Sequence, residues 1–444
     1  MTDLIIIGAG PGGYETAAIA AQRGMSVLIV ERDQLGGTCL NRGCIPTKAL
    51  CRNAEVVNTL RESQVWGVTT EGFHFDYAPV FARKNEVVKQ LRDGVGVLMG
   101  QPGITLVTGE AVLKDAHTVT VDGTDYQGSN IIIATGSAPR GLPIPGDELA
   151  MTSDDILAME TLPKSLCIVG GGVIGMEFAA IFSSFGVEVT VVEYCKEILP
   201  PFDKDVAKRL HNILGKRVKI HTGAGVNAIE RTADGYKVTF DLKGKPQQVE
   251  AERVLMSVGR KPVLPQGLEN VGVTVGRRGI EVDDNMLTSV PGIYAIGDVN
   301  GRMMLAHAAS AQGLRALNAI QGKNDNLRLD VVPSAVFTVP ELSMVGLTEE
   351  QCKEREMNIE VKKAFFRSNG KAVSMNETDG LIKMIVDAGT RQIVGCHICG
   401  AHAADLIQEV VTAINANATV DTLATSIHGH PTLSEVVMTV ARMF

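Results

Sequence analysis

Two copies of one short pattern constrain the fold of this 444-residue chain more than any other feature. Each copy runs from an apolar strand through a G-x-G-x-x-G turn into a small-residue helix, and then into a second strand that ends in a glutamate. The pattern residues are Gly8, Gly10, Gly13 and Glu31 in the first copy and Gly170, Gly172, Gly175 and Glu193 in the second. Such a βαβ unit holds a pyrophosphate at the helix N-terminus and a ribose at the acid. The sequence therefore predicts an α/β fold with two Rossmann-like dinucleotide-binding domains.

The glutamate that closes each pattern predicts which dinucleotide binds. Glu31 and Glu193 follow the third glycine of their copy at the same spacing, so both are placed to accept hydrogen bonds from a ribose. Glu193 would also repel a 2′-phosphate, and no arginine pair follows it to bind one. The second site is therefore predicted to take NAD rather than NADP.

A second distinctive stretch, from Gly36 to Lys48, reads G-G-T-C-L-N-R-G-C-I-P-T-K. A disulfide between Cys39 and Cys44 would close so small a loop that it adds only about 2 kcal/mol of stability. Such a disulfide would stabilise the fold only a little, but it would suit a reversible redox role. Pro46 suits the first turn of a following helix, which would place Cys44 near the positive end of the dipole and favour its thiolate. A C-x₄-C pair by itself is also compatible with two buried structural thiols.

Composition narrows the class of protein. A net charge of −8 argues against nucleic acid as a partner. The N-terminus enters the first strand directly, no apolar run has the length of a membrane span, and eight cysteines without a regular framework indicate a reducing compartment. The sequence predicts a cytoplasmic enzyme with two to four domains.

Periodicity outside these motifs predicts the remaining elements. The pattern favours a helix over residues 75–100, alternating strands over 104–133 with a turn at Asp122-Gly123, and a helix that ends at Leu214. A separate α/β layer begins at about Val331. It contains Cys396-His397-Ile398-Cys399, whose strand-like setting points residues three apart to opposite faces. We interpret these two cysteines as structural and predict no metal site.

The chain closes with H-G-H-P-T-L-S-E, in which His430 and Glu435 allow two interpretations. Thr432 and Glu435 fit a helix capping box, and His430 could be an incidental loop histidine. However, thiol–disulfide exchange near neutral pH needs a base, and no other histidine lies beside an orienting carboxylate in this way along the sequence. His430 is therefore a candidate base and Glu435 its orienting partner.

Taken in order, these motifs resemble the flavin-dependent disulfide reductases, and most of all the branch that oxidises dihydrolipoyl groups. Five motifs carry the resemblance, namely both nucleotide turns, the cysteine pair, the Gly297-Asp298 motif and the closing H-P-T-x-x-E. It implies FAD at the first turn and NAD at the second. It further implies that Cys39 is the outer sulfur attacked by the dithiol, that Cys44 is the sulfur nearer the flavin, and that His430 and Glu435 act as the base and its orienting group.

The resemblance also assigns further cofactor contacts. Those implied for FAD are Lys48, Ala111, Thr135, Gly136, Ser137, Asp298, Met304, Leu305, Ala306 and His307. Those implied on the NAD side are Glu177, Val226 and Gly259. Glu177 would pair with Lys48 beside the flavin ring, although a charge in the first turn of its helix is an equally good explanation.

The resemblance finally predicts the domain organisation of the chain and its binding partners. We expect an FAD domain over 1–146, an NAD domain over 147–265, a central domain over 266–330 that completes the FAD site, and an interface domain over 331–444. The expected assembly is a homodimer that serves a lipoylated acyltransferase of a 2-oxoacid dehydrogenase complex or a glycine-cleavage lipoyl protein. The alternatives are a glutathione reductase-like enzyme and a non-catalytic flavoprotein subunit.

Overall fold

The computed structural model describes residues 1–69 and 72–444. The strands are β1 Thr2–Ile7, β2 Val27–Glu31, β3 Ile104–Thr108, β4 Ala111–Leu113, β5 Thr118–Val121, β6 Thr124–Ile133, β7 Ser137–Pro139, β8 Ser165–Val169, β9 Glu188–Glu193, β10 Lys219–Thr222, β11 Ala224–Arg231, β12 Tyr236–Leu242, β13 Lys245–Ala251, β14 Arg253–Met256, β15 Arg260–Pro262, β16 Ile293–Ala295, β17 Ser334–Val336, β18 Glu341–Gly346, β19 Ile359–Phe365, β20 Leu381–Asp387 and β21 Ile393–Gly400.

The α-helices alternate with these strands. They are α1 Pro11–Gln22, α2 Gly37–Arg42, α3 Cys44–Arg61, α4 Tyr77–Met99, α5 Ser153–Ala158, α6 Val173–Ser184, α7 Lys204–Leu214, α8 Leu268–Val271, α9 Ala306–Ile320, α10 Glu349–Glu354, α11 Gly370–Ser374, α12 Ala403–Asn415, α13 Val420–Thr425 and α14 Glu435–Ala441. No helix in the described ranges is both long and apolar enough to cross a membrane.

The first compact unit contains residues 1–49, 78–140 and 260–329. Its centre is a parallel sheet in the order β3-β2-β1-β6-β16. The run Leu4–Ile7 is at most 5% exposed, as expected for a parallel strand that is covered on both faces. Strand β6 also pairs with β5 through its first half and with β1 through its second half, so it joins a small antiparallel sheet to the central one.

Helices α1 and α9 pack closely in this unit because small residues line their contact. A Cβ atom added to Gly12 would lie 3.1 Å from the Cβ atom of Ala309, and one added to Gly313 would lie 1.9 Å from Thr16 Oγ1. The small-residue character predicted for both helices therefore has a packing reason. Their close approach places the glycine turn before α1 and the N-terminus of α9 on the same side of the unit's core.

The second unit contains residues 50–77, 141–259 and 330–444. It repeats the βαβ arrangement in a parallel sheet of order β10-β9-β8-β14, with α6 between β8 and β9. An antiparallel sheet β11-β12-β13 follows. The C-terminal part forms the five-stranded sheet β17-β18-β21-β20-β19, whose core includes Ile382, Ile407 and Val437 from a strand and two helices.

Several elements confirm the sequence prediction. The helix expected over 75–100 is α4, and α7 ends at Leu214 as expected. Asp122 and Gly123 form the predicted turn with φ values of +48° and +81°. Cys396 and Cys399 are fully buried in β21, in agreement with a structural role. The division into four domains stays a prediction.

Candidate active site

The two glycine turns have the same backbone geometry. Gly8 has φ +104° and Gly170 has φ +105°, in the left-handed region that favours glycine. A Cβ atom at Gly13 would lie 1.9 Å from the carbonyl oxygen of Gly8, and one at Gly175 would lie 2.0 Å from that of Gly170. Side chains at these positions are therefore excluded, and each turn exposes backbone N–H groups at a helix N-terminus, which suits a pyrophosphate.

Glu31 is held at the first turn by two backbone groups. The N–H of Ala9 donates to Glu31 Oε2 at 2.7 Å, and the N–H of Asp33 donates to Glu31 Oε1 at 2.9 Å. Ala9 lies within the G-x-G-x-x-G turn itself, so the acid is tied to the phosphate-binding loop. A carboxylate fixed in this way is ready to accept the hydroxyl groups of a ribose.

Glu193 repeats this arrangement at the second turn. The N–H of Gly171 donates to Glu193 Oε2 in a short hydrogen bond, and the N–H of Cys195 donates to Glu193 Oε1 at 2.6 Å. The residue is only 6% exposed. The equal spacing in the sequence thus produces equal hydrogen bonding in the fold, and both predicted nucleotide sites are present as built turns.

The predicted redox cysteines lie next to each other at a break between two helices. Cys39 is half-buried within α2, and Cys44 is exposed as the first residue of α3. Both side chains are in the thiol form. A hydrogen bond with Cys44, then burial and the negative charge of Cys44, raise the pKa of Cys39 well above its usual range. Cys39 therefore keeps its proton at neutral pH. That the helix dipole favours a thiolate at Cys44 stays a prediction.

Two residues that the sequence did not single out hold the backbone around these cysteines. Asn41 Nδ2 donates to the carbonyl oxygens of Leu35 and Gly37, each at 2.9 Å. Arg92 Nη1 donates to Asn41 Oδ1 at 3.3 Å. Since Arg92 belongs to α4 and is distant in the sequence, only the fold could reveal this contact.

Two of the predicted flavin contacts, Ser137 and Asp298, meet in the first unit. Ser137 Oγ donates to Asp298 Oδ2 at 2.5 Å, and Thr135 Oγ1 donates to the carbonyl oxygen of Val263, also at 2.5 Å. Gly136 between them has φ +72°. The strand-end motif and the G-D motif, which are far apart in the chain, are therefore joined through side chains.

The turn that carries Asp298 is anchored to α9 by a buried amide. Gln312 Oε1 accepts from the N–H of Gly297 and from Asn300 Nδ2, each at 2.8 Å. Sequence reasoning missed Gln312 because a glutamine inside a helix carries no local signal. Helix α9 begins at Ala306, and its N-cap residue Leu305 offers no side-chain acceptor. His307 is the second residue of α9, and its contact with the cofactor stays a prediction.

Glu177 is a buried acid and does not lie in the first turn of its helix. It is the fifth residue of α6 and 4% exposed, and its Oε1 accepts from the N–H of Phe337 at 3.0 Å. The explanation of Glu177 as a first-turn helix charge is therefore wrong. Its predicted pairing with Lys48 stays a prediction.

The remaining predicted contacts have defined places in the chain. Ala111 is the buried first residue of β4, and Val226 lies in β11 at a register shift. Gly259 directly precedes β15 and has φ +114°. Met304 precedes the N-cap of α9. Their cofactor contacts stay predictions.

His430 and Glu435 form the predicted pair. His430 Nδ1 lies 3.0 Å from Glu435 Oε1, and the His430 side chain is 78% exposed. The N–H of Thr432 donates to Glu435 Oε2 at 2.9 Å, and this bond and that of His430 lower the pKa of Glu435. The capping box is only half formed, because Ser434 is the N-cap of α14 and the Thr432 hydroxyl donates to the carbonyl oxygen of Gly429.

A carboxylate partner does not by itself distinguish His430, which corrects the sequence argument. His428 Nε2 lies 2.8 Å from Glu409 Oε1, and His211 Nδ1 lies 2.5 Å from a carboxylate oxygen of Glu197. The distinguishing property is access, since the His428 and His211 side chains are 6% and 26% exposed. A base that serves an external thiol must be reachable, and His430 meets this requirement.

These observations test the fit of the predicted cofactors. In each glycine turn the first and third glycines leave no room for a Cβ atom, and each turn has an anchored acid at the position expected to bind a ribose. The first unit adds Asp298, in the turn held by Gln312. These residues fit a dinucleotide in each unit, and those in the first unit fit the longer FAD molecule.

Comparisons with known proteins identify the family to which this chain belongs. Residues 2–313 match the family described as pyridine nucleotide-disulphide oxidoreductase, and residues 332–441 match the dimerisation domain of that family. The chain is 40% identical to a dihydrolipoyl dehydrogenase of Chlamydia pneumoniae, over 98% of this chain and 95% of the relative. It is 41% identical to one of Bacillus subtilis, over 100% of this chain and 96% of the relative.

Solved structures of flavoprotein disulfide reductases also match this chain. The HOCl-induced flavoprotein disulfide reductase RclA from Escherichia coli matches with a TM-score of 0.88 at 30% identity, over 99% of both chains. Its Cu(II) complex matches with a TM-score of 0.87. With two nucleotide turns, an adjacent cysteine pair and family matches that span nearly its whole length, the chain belongs to the pyridine nucleotide–disulphide oxidoreductase family.

Proposed function

We propose that this enzyme is a dihydrolipoyl dehydrogenase, which oxidises protein-bound dihydrolipoamide to lipoamide and reduces NAD⁺ to NADH. The observation that carries the proposal is the adjacent pair of Cys39 and Cys44 at the junction of α2 and α3, in the unit that also contains the first glycine turn. Relatives of that name at about 40% identity over the full chain support this choice within the family.

The reaction begins with proton transfer to His430. Glu435 accepts from the Nδ1–H group and so keeps the neutral ring in the tautomer whose Nε2 is free to take a proton. Nε2 removes a proton from one thiol of the dihydrolipoyl group. Because Glu435 stays ionised, it then stabilises the imidazolium that forms.

The thiolate attacks Sγ of Cys39, the S–S bond to Cys44 breaks, and Cys44 leaves as a thiolate at the N-terminus of α3. After His430 has released this proton to solvent, it deprotonates the second substrate thiol, which attacks the mixed disulfide; Cys39 leaves and takes the proton from His430. The substrate is thereby oxidised to its cyclic disulfide, and the enzyme disulfide is reduced to the Cys39 thiol and the Cys44 thiolate.

Each nucleotide site has residues to hold its cofactor. FAD would be held by the turn from Gly8 to Gly13, by Glu31 and by Asp298, and NAD by the turn from Gly170 to Gly175 and by Glu193. When bound, FAD would supply the acceptor for the electrons of the reduced cysteine pair, and NAD⁺ would supply the final hydride acceptor. The role of the chain is to position both and to control the protons of the thiols.

The deciding experiment compares substrates on the purified enzyme. We expect dihydrolipoamide-dependent reduction of NAD⁺, and we expect no comparable oxidation of NADPH with glutathione disulfide. Activity with the glutathione pair alone would favour the glutathione reductase-like alternative. Absence of both activities in a preparation that retains FAD would favour a non-catalytic flavoprotein.

The chain is a homodimer, in agreement with its match to the dimerisation domain of the family. We infer that its substrate is a lipoyl group carried on a protein, as in 2-oxoacid dehydrogenase complexes or the glycine cleavage system. The exposure of His430 supports a substrate arm that enters from outside the chain.

The anchored acid of the second turn predicts a preference for NAD. We expect kcat/KM for NAD⁺ to exceed that for NADP⁺ by about 10²-fold, which corresponds to about 2.7 kcal/mol. The reason is that the buried Glu193 carboxylate repels a 2′-phosphate. Glu193→Gln should narrow this ratio, because a neutral side chain relieves the repulsion of the 2′-phosphate.

A matched control lies at the other end of the same strand. Glu188 is the exposed first residue of β9, so Glu188→Gln should leave both cofactor constants unchanged. Steady-state kinetics with each cofactor would measure the effect. An equal or higher kcat/KM for NADP⁺ in the unmodified enzyme would show that Glu193 does not select the cofactor.

We further predict that each active site is shared between subunits. His430 lies within the segment matched by the dimerisation domain, whereas Cys39 and Cys44 lie in the other matched segment. A two-fold interface that brings His430 to the partner's cysteines would create two identical sites. Mixed dimers of Cys44→Ser and His430→Gln subunits should then recover about half of the normal activity, since one of their two sites is intact.

Differently tagged subunits, co-expressed and purified through both tags, would provide these mixed dimers. Each parental homodimer, isolated in the same way, is the control. If base and disulfide came from one chain, every site in the mixed dimer would be defective. Intact mixed dimers no more active than the parents would therefore disprove a shared site.

A further inference from the structure

Three side chains of the first unit form a hydrogen-bonded relay: Arg260, Ser137 and the predicted flavin contact Asp298. Arg260 Nε donates to Ser137 Oγ at 2.7 Å, and Arg260 Nη2 donates to the carbonyl oxygen of Ser137 at 2.7 Å. Ser137 Oγ in turn donates to Asp298 Oδ2 at 2.5 Å. Arg260 therefore donates two hydrogen bonds to Ser137, and Ser137 donates one to Asp298.

The donor and acceptor capacity of the Ser137 hydroxyl fixes the direction of these hydrogen bonds. A serine hydroxyl has one hydrogen and can accept through its lone pairs. An arginine has only donors, so Arg260 occupies an acceptor position of Ser137 Oγ and leaves its single hydrogen for Asp298. A donor that is itself bonded to a cation is polarised and binds a carboxylate more strongly. Arg260 therefore determines how Ser137 holds Asp298.

The backbone around the relay is well fixed. Strand β15 pairs with β7 in a register that places Arg260 opposite Pro139 and Pro262 opposite Ser137. Ser137 is 8% exposed and Arg260 is half-buried. The relay therefore acts from a defined position and is shielded from much of the solvent, which strengthens its hydrogen bonds.

We propose that Arg260 is a positioning residue for FAD, which through Ser137 orients the carboxylate of Asp298 toward the cofactor. Because Asp298 Oδ2 accepts the hydrogen bond from Ser137, the rotation of the Asp298 carboxylate is fixed. Its Oδ1 atom is then directed to accept from a hydroxyl group of the ribityl chain of FAD. The inference rests on the proposed FAD site but concerns Arg260, a residue that no sequence motif assigned to a cofactor contact.

The test measures how tightly purified holoenzyme variants retain FAD, from the flavin fluorescence released on dilution. Arg260→Met should weaken FAD binding about tenfold, which corresponds to about 1.4 kcal/mol. Arg260→Lys should also weaken FAD binding, because one ammonium group does not reproduce both hydrogen bonds to Ser137. Arg140→Met is the matched control, since Arg140 is exposed and directly follows β7; it should retain FAD as the unmodified enzyme does.

A double-mutant cycle separates positioning from general support of the fold. Ser137→Ala breaks the relay but leaves the arginine in place, so Arg260→Met should cost at most about twofold in FAD affinity in that background. Equal tenfold losses in both backgrounds would show that Arg260 acts independently of Ser137 and would overturn the inference. Unchanged FAD affinity in Arg260→Met would overturn it as well.

Failure of the inference is distinguishable from failure of the proposed function. If the unmodified enzyme retains FAD and oxidises dihydrolipoamide while the Arg260 variants bind FAD normally, only the relay is wrong. If the unmodified enzyme binds no FAD, the proposed function fails first, and the relay fails with it.

Discussion

Replacing Cys39 or Cys44 with serine should lower dihydrolipoamide-dependent reduction of NAD⁺ by roughly 10³-fold or more, the scale seen when a covalent nucleophile is removed. Serine oxygen cannot form the disulfide that accepts the substrate electrons. NADH-dependent reduction of a small dye should persist in both variants, because it needs the cofactors but not the disulfide. The contrast between these two activities would locate the defect at the sulfur atoms.

The same helix offers a matched control in Cys51. This thiol is buried in α3, and its Sγ donates to the carbonyl oxygen of Phe337 at 3.3 Å, a bond that serine can also make. Cys51→Ser should therefore keep the dihydrolipoamide activity. More than a tenth of normal activity in either the Cys39 or the Cys44 variant would contradict the disulfide mechanism.

Replacing His430 with glutamine should lower kcat/KM for dihydrolipoamide by about 10²–10⁴-fold, the usual contribution of a general base. The loss should be specific to the dithiol, so that dye reduction by NADH is unchanged. His402→Asn is a suitable control, because His402 is also exposed and has φ +56°, a conformation that asparagine tolerates. This control should retain full activity.

Glu435 gives this prediction a pH dependence. Its pKa is lowered by the hydrogen bonds from Thr432 and His430, so the carboxylate stays ionised throughout the neutral range and loses its charge only as the pH falls below the ordinary glutamate range. In Glu435→Gln the neutral amide cannot stabilise the imidazolium that forms during the reaction, so kcat/KM for dihydrolipoamide should fall. The loss should be present wherever the unmodified carboxylate is ionised and should shrink only as the pH falls below the ordinary glutamate range.

Profiles of kcat/KM against pH between about 5 and 9 for both proteins would check this prediction. The ratio of the unmodified rate to the Glu435→Gln rate should stay constant over this range, because the carboxylate remains ionised throughout it. A ratio that falls to one within this range, or equal rates at every pH, would show that the charge of Glu435 does not act in the reaction.

The sequence by itself determined the features that depend on local backbone geometry. The Gly8 and Gly170 turns, the glycines that exclude a Cβ atom, and the glutamates at the ends of β2 and β9 all appear as predicted. Each follows from sterics and hydrogen bonding over about 20 residues, the span within which the βαβ fingerprint places its acid. The start of α3 at Cys44 was predictable for the same reason, because it depends on neighbours in the chain.

Only the tertiary structure decided which distant side chains meet. Ser137 and Asp298 are 161 positions apart, and Glu177 and Phe337 are 160 apart, so no spacing rule could pair them. Folding also decided which histidine is accessible, since His428 and His430 are neighbours in sequence yet differ in exposure from 6% to 78%. Burial depends on what packs against a residue from elsewhere in the chain, and for that reason the relay through Arg260 and the choice of base became visible only in the fold.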